Sequence, residues 1–268
     1  MDCLNLGCGS RFHSTWTNLN FTSTSKEVIA HNLTKGICFP DASFDLVYHS
    51  HVLEHFSQAD AEVFLQECWR VLRPQGVLRV VVPDLEQIVR TYLIALEKAN
   101  NGSEEWAANY QWILLEMFDQ LARNENGGEM KKYLYQQQIP NEKFIIQRCG
   151  IEVKNLIEMS KQKRNKSNNL KHIHDLFIKL SKFMLQSLPG KIYSNFKIGS
   201  FRQSGEIHQW MYDQYSLSLL LKKCGFQDIT KRTATESFVP YWTSYNLDTE
   251  PDNSVYKPDS LYIEALKK

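Results

Sequence analysis

"LNLGCGSRFHSTWTNLN", Leu4 to Asn20, reads as a short apolar strand, a glycine turn and the start of a second strand. Gly7 and Gly9 let the backbone turn tightly and approach a ligand where a Cβ would clash. Taken alone, a GxG is more readily an ordinary turn than a binding site. Six residues, Ser10 to Thr15, separate Gly9 from Trp16. That is too few for a full crossover helix, so this half of the sheet is expected to be trimmed. "GCGSRF" also lacks the third glycine of GxGxxG, which argues against a nicotinamide dinucleotide site.

Working outward, "EVIAHN" reads as a third strand and "FDLVYHS" as a fourth, apolar and rich in β-formers, as a strand buried on both faces should be. "SQADAEVFLQECWRVL" has helical spacing, with Val63, Phe64, Glu67, Cys68, Val71 and Leu72 on one stripe, and Pro74 and Gly76 mark its end. "VLRVVVPD" is a fifth strand, with a helix from about Leu85. Alternating strands and helices imply a mainly parallel sheet. Residues 206–268 return to this pattern: a short helix in "SLSLLLKKCGF", a strand in "DITKRTA" and a last strand in "SLYIEALKK". The two closing strands fit an antiparallel hairpin at one edge.

Residues 95–205 differ. They hold long helical stretches, "EEWAANYQWILLEMFDQLAR" and "LKHIHDLFIKLSKFMLQSL", the second with Leu170, Ile173, Phe177, Leu180 and Met184 on one stripe. "SKQKRNKSNN" between them reads as a solvated linker. Residues 154–202 carry eleven Lys/Arg against two Asp/Glu, so this piece is strongly basic while the whole chain is only +1. The sequence therefore divides into a core, 1–94 with 206–268, and a helical insertion that would cap a substrate. Its charge would draw an anionic substrate, and the basic helix near 170–188 could rest on a membrane surface. No aromatic–basic interleaving marks a nucleic-acid surface.

Composition sets outer bounds. Hydrophobic residues make up 43% and charged residues 23% of 268, enough for a sizeable core. Six scattered cysteines with no CxxC pair fit neither a zinc knuckle nor a disulfide framework, and point to a reducing cytoplasm. No leader-like stretch precedes the first strand. No apolar run reaches the about 18–20 residues of a membrane span.

The chemistry-bearing residues gather at the expected carboxyl ends of the strands. "YHSHVLEHF" carries Ser50, His51, Glu54 and His55 out of the fourth strand into what reads as the first turn of a helix. His51, Glu54 and His55 stand at i, i+3, i+4, so they share a face. Two imidazoles and a carboxylate suit general acid–base work. They could also offer three ligands to a divalent ion; the acid–base role is preferred and no metal is assigned. Asp84 follows the fifth strand, where a helix-capping role is expected. "GEIHQWMYD" re-enters the core after the insertion. It supplies His208 as a second candidate base, with Trp210 and Tyr212 expected to pack the junction.

In order, "LNLGCG", "FPDASFDLVYHSHVLEH", "ECWRVLRPQGVLRVVVPDLE" and "LYIEALKK" resemble the class I S-adenosylmethionine-dependent methyltransferases, in particular a compact bacterial group of the type 11 kind. The resemblance implies a Rossmann-like α/β sheet and methyl transfer to an acceptor, a hydroxyl of a small or anionic metabolite, glycan or lipid. It also implies S-adenosyl-L-methionine as cofactor. Gly7, Cys8 and Gly9 would line its methionine and ribose part, Asn20 would face the ribose hydroxyls, and Asn32 and Leu33 the adenine. Ser50 would lie near the sulfonium with His51. Asn20 and Asn32 stand where carboxylates are expected. An amide still accepts a hydrogen bond but without charge assistance, so weak cofactor binding, or a catalytically inactive binding or scaffold protein, is the alternative.

Overall fold

The computed structural model describes residues 1–165 and 190–268. Seven strands form one sheet: β1 (Cys3–Leu6), β2 (Thr17–Asn20), β3 (Val28–Ala30), β4 (Phe44–Ser50), β5 (Leu72–Pro83), β6 (Gln227–Arg232) and β7 (Ser260–Leu266). Their order is β3-β2-β1-β4-β5-β7-β6. β7 runs antiparallel to both β5 and β6, while the other pairings are parallel. This is the class I methyltransferase sheet that the sequence resemblance implied, with the expected reversed hairpin at one edge.

Strand alternation sends two sets of side chains to opposite faces. Leu4, Leu6, Val47, Leu78, Val80 and Ile263 pack on helices α1 (Gln58–Val71) and, near the C-terminus, Gln214–Lys223. α1 is capped by Ser57, whose hydroxyl accepts from Asp60 N. Phe64, Cys68 and Val71 of the expected stripe are buried in α1, and Leu72 is buried as the first residue of β5. Ala61, Phe64, Leu65, Cys68 and Val71 are buried, whereas Val63 is 59% exposed. Val63 lies off the stripe because one residue turns the helix by about 100° from the buried Phe64.

On the other face Cys3, Leu46, Tyr48, Val81 and Tyr262 meet Trp16, Ala234, Val239, Trp242 and Leu247. No helix lies between β1 and β2 or between β2 and β3, so the N-terminal half is trimmed as expected. The segment from Thr233 to Thr249 stands in for the missing helical layer. Arg79, fully buried on β5, anchors it with ion pairs to Asp248 at 2.8 Å and Glu264 at 2.9 Å.

α2 (Leu85–Asn100) is continuous across residue 94. Asp84 caps it, accepting from Gln87 N at 3.2 Å, in the role expected of it. α3 (Glu104–Ala122), α4 (Gly128–Leu134), α5 (Glu142–Asn165) and α6 (Gly190–Arg202) follow, and the helix Gln214–Lys223 becomes α7. Trp112, Ile113, Ile145, Cys149 and Ile157 give the insertion a core of its own. Residues 160–165 are helical, so the expected linker is in part the end of α5. The expected basic amphipathic helix near 170–188 lies outside the described residues. Among the described residues no helix is long and apolar enough to cross a membrane.

Insertion and core pack tightly at Gly150, where α5 kinks with φ 76°. A Cβ there would lie 2.1 Å from Tyr256 O and 2.7 Å from Pro258 Cδ. Gly150→Ala is therefore expected to cost about 2–4 kcal/mol, from backbone strain plus a clash with backbone that cannot yield. Urea unfolding reads this; an unchanged midpoint would disprove the contact.

Candidate active site

Connections run from β1 outward to β2 and β3, then return to β4 on the other side of β1. Open α/β sheets leave a crevice at the carboxyl ends of the strands at such a reversal. A cavity lies there. Asn5, Gly7, Cys8, Gly9, Ser10 and Arg11 line it from β1 and its turn, and Tyr48, Ser50 and His51 from β4. Glu152 of the insertion and Leu247, Tyr256 and Lys257 of the C-terminal segments close it.

The glycine turn does two jobs. Gly7, at φ 65°, passes so close to Val52 that a Cβ would sit 2.4 Å from its Cγ2. Gly9, at φ 55°, faces open space, with nothing within 4 Å of where a Cβ would be. Behind the turn, Asn5 Nδ2 donates to Arg11 O at 3.2 Å, while its buried Oδ1 has no protein partner. Burial pushes the Cys8 thiol up to about 11, so it lines the cavity as a neutral group. Arg11 ties the turn to the C-terminal segment, donating to Leu247 O at 2.7 Å and pairing with Glu250 at 2.9 Å over the Tyr256 ring.

His51 ends β4 at φ 54°, a conformation that costs a non-glycine residue energy and recurs at functional sites. Its Nδ1 lies 3.1 Å from Glu54 Oε1 and its Nε2 2.9 Å from Ser260 Oγ. With a carboxylate at Nδ1, the neutral ring carries its proton there, and Nε2 accepts from the serine hydroxyl. Glu54 is fully buried. Burial pushes its pKa up, but the hydrogen bond and charge of His51, with His208 and His55 nearby, outweigh this and hold it at about 2.

A second cavity, of about 370 Å³, opens under the insertion. Ile88, Met130, Leu134, Val153 and Leu156 give it apolar walls, and Gln120, Arg123, Lys131, Glu116 and Asp259 give it polar groups. Glu116 is held by Arg148 at 2.6 Å. His51, Glu152 and Lys257 line both cavities, so the two meet there. Glu152 and Lys257 pair at 2.9 Å. Burial works against both charges, and their mutual attraction outweighs it, lowering the Glu152 pKa and raising that of Lys257.

Of the expected cofactor residues, Gly7, Cys8, Gly9 and Ser50 come together in the first cavity. Asn20, Asn32 and Leu33 do not line it. Asn20 Oδ1 accepts from Gly9 N at 3.3 Å and its Nδ2 donates to Thr22 O at 3.0 Å. Asn32 caps a 3-10 turn, accepting from Thr34 N at 3.0 Å. Leu33 packs on the sheet core. Both amides are thus committed to their own backbone. A carboxylate at position 20 could not donate to Thr22 O, which is a physical reason for the amide there.

Among the acid–base candidates, only His51 faces the cavities. The expected helix start at Val52 is instead a 3-10 turn, Leu53–His55, with α1 beginning separately at Gln58. This splits the expected shared face, and His55 turns its Nδ1 to Ile207 O at 3.0 Å. His208 is buried beside Glu54, where burial pulls its pKa down to about 3 against the pull of that carboxylate. It lines neither cavity. Tyr212 packs into the core as expected, but Trp210 is 42% exposed, so it does not pack the junction. Glu152, Tyr256 and Lys257 escaped sequence reading because they sit in an insertion and a long loop without periodic pattern.

Comparison with known proteins gives partial matches. Residues 4–80 match the family profile of a methyltransferase domain. A 56-residue stretch is 43% identical to a "Probable S-adenosylmethionine-dependent methyltransferase" of Mycolicibacterium smegmatis, covering 21% of this chain and 21% of that protein. Among solved structures, a SAM-dependent methyltransferase from Archaeoglobus fulgidus aligns over 99% of this chain and 86% of its own, with 10% identity and a TM-score of 0.39. The 1,6-didemethyltoxoflavin-N1-methyltransferase of Burkholderia thailandensis aligns over 99% and 70%, with 11% identity and a TM-score of 0.38.

Proposed function

We propose that this chain, which carries the class I methyltransferase fold, transfers a methyl group from S-adenosyl-L-methionine to a hydroxyl of a small polar acceptor. The observation that carries this reading is the meeting of the two cavities at His51, Glu152 and Lys257. One cavity lies at the sheet's reversal point and the other under the insertion, so a donor and an acceptor would face each other across those three side chains.

The first cavity fits the cofactor on two counts. Gly9 leaves open space over its backbone, and Asn5 Oδ1 is a buried acceptor awaiting a donor. Gly7, Cys8, Gly9 and Ser50 would hold it, with Tyr48, Leu247 and Tyr256 as walls. When bound, the cofactor supplies an electrophilic methyl on a sulfonium. The chain's own residues would mainly position and exclude water. His51 would take the acceptor's proton on Nε2, with Ser260 yielding that nitrogen, as the acceptor oxygen gains the methyl and the sulfonium S–CH3 bond breaks to leave a neutral thioether. Glu54 keeps the ring in the tautomer that leaves Nε2 free.

The acceptor cavity does not share the insertion's basic excess. Arg123, Lys131 and Lys257 face Glu116, Glu152 and Asp259. Equal numbers of each sign favour an acceptor with both donors and acceptors over a polyanion, and its size favours a small molecule.

Calorimetric titration with S-adenosyl-L-methionine tests the reading. Binding is expected in the about 1 μM–1 mM range usual for enzyme ligands. No heat at millimolar cofactor would end it. Binding with no transfer of labelled methyl to any metabolite of a cell extract would return the non-catalytic alternative.

A further inference from the structure

We infer that Glu54, His55 and His208 form a buried binding site for a first-row transition-metal ion of the zinc kind, beside the two cavities rather than in them. Their ligand atoms all lie within 4.8 Å of one another, and among the described residues no other group of three His, Cys, Asp or Glu converges in this way.

Burial makes the cluster unusual. Glu54 has no exposure and His208 has 4%. Glu54 Oε2 and His208 Nδ1 are nevertheless without a protein hydrogen-bond partner. Buried polar atoms are almost always satisfied, and an ion is one of the few partners that would satisfy a carboxylate and imidazoles together. His55 is already oriented for ligation. Its Nδ1–H donates to Ile207 O at 3.0 Å, which leaves the Nε2 lone pair free, as in metal-bound histidines. The two imidazoles stand T-shaped, centroids 4.9 Å apart. The backbone beneath is fixed, because Glu54 O accepts from Gln209 N at 2.7 Å and Trp210 N at 3.3 Å.

The donor set names the class of ion. Two imidazoles and one carboxylate suit zinc, cobalt or nickel, whereas magnesium and calcium prefer oxygen alone. Bonds of about 2.0–2.2 Å in a tetrahedron place ligands about 3.3 Å apart. Inward rotation of the three side chains closes the remaining gap. The consequence is structural and positional. His208 lies where the chain returns from the insertion, so the ion would pin that return to the turn after β4. It would also fix the carboxylate that contacts His51. The inference does not depend on methyl transfer.

The test uses the full chain, without a polyhistidine tag and stripped by chelator, titrated with zinc chloride alone. Uptake of one equivalent is expected by elemental analysis, with a rise in melting temperature that magnesium at the same concentration does not produce. His55→Ala is the central variant, since His55 is partly exposed and its loss should leave the fold intact by circular dichroism. It should weaken zinc binding about 100-fold or more, as should Glu54→Gln and His208→Ala. Replacement of the partly exposed His13, which is not part of the cluster, should leave binding unchanged. No uptake at 100-fold excess zinc, or a folded His55→Ala protein that binds zinc like the parent, would overturn the assignment.

Discussion

His51→Ala is expected to keep cofactor affinity within a few-fold and to lose turnover by about 10²–10⁴, the usual worth of a positioned general base. His51 lines both cavities. Its ring is fixed at 3.1 Å by Glu54 and at 2.9 Å by Ser260, and its backbone is held at φ 54° by His51 N donating to Val81 O at 2.9 Å. Alanine removes the ring but not the cavity wall made by Gly7, Cys8 and Gly9, so binding and chemistry should separate. Ser260→Ala provides the contrast. It removes the hydroxyl that occupies Nε2 without touching the base, so turnover should stay within a few-fold of the parent. Equal turnover by the parent and His51→Ala would remove the base from this residue. Loss of cofactor binding together with turnover would mean that His51 shapes the first cavity instead.

The strands of the core were legible because they are short runs of buried apolar residues bounded by turns. β1 to β4 and the closing hairpin stand where their apolar runs placed them, whereas β5 contains the expected Val77–Pro83 but begins at Leu72, so the run Arg73–Gly76 read as a helix end is already strand. The cavity at the reversal point followed from that order plus the two glycines. Hydrogen bonds made within a turn were not legible. Asn20 and Asn32 read as ribose and adenine contacts by position; Asn20 accepts from Gly9 N of the glycine turn and donates to Thr22 O, and Asn32 caps its own 3-10 turn. An amide that spends its oxygen and nitrogen locally has the same sequence signature as one that binds a ligand. The break at Phe56 reflects Ser57 acting as the cap of a separate helix, with the 3-10 turn Leu53–His55 before it. Glu152 and Lys257 come together from segments about a hundred residues apart, where no periodicity links them. The acid–base cluster was visible as a motif, but its division into one histidine at the cavities and two beneath them required the 3-10 turn at Leu53–His55.

The largest loss of stability is expected from Arg79→Met, about 3–5 kcal/mol in urea unfolding, because it strands two carboxylates in the interior. Arg79 is fully buried, as is Glu264, and Asp248 is 3% exposed. The guanidinium pairs with Asp248 at 2.8 Å and Glu264 at 2.9 Å. It also donates to Glu236 O at 2.9 Å and Thr233 O at 2.8 Å, and lies 4.5 Å over the Trp242 ring. These contacts hold the segment that replaces the helical layer of the trimmed half. Asp248 also accepts from Tyr48 Oη at 2.7 Å and from Trp242 Nε1 at 3.1 Å. Tyr48 and Leu247 are walls of the first cavity, so loosening this segment should weaken cofactor binding along with the fold. Methionine matches the bulk of the arginine stem, which limits any cavity and leaves charge as the main cause. A Glu264→Gln background distinguishes charge from packing. There the same substitution should cost less, since one of the two stranded charges is gone, and the difference measures the coupling. The exposed pairs of Arg73 with Asp2 and Asp45, both at 2.8 Å, give the reference. Their removal should cost no more than about 1 kcal/mol, because solvent already screens them. If Arg79→Met falls in that smaller range, the buried network does not anchor the segment, and the aromatic packing of Trp16, Trp242 and Tyr245 must hold it alone.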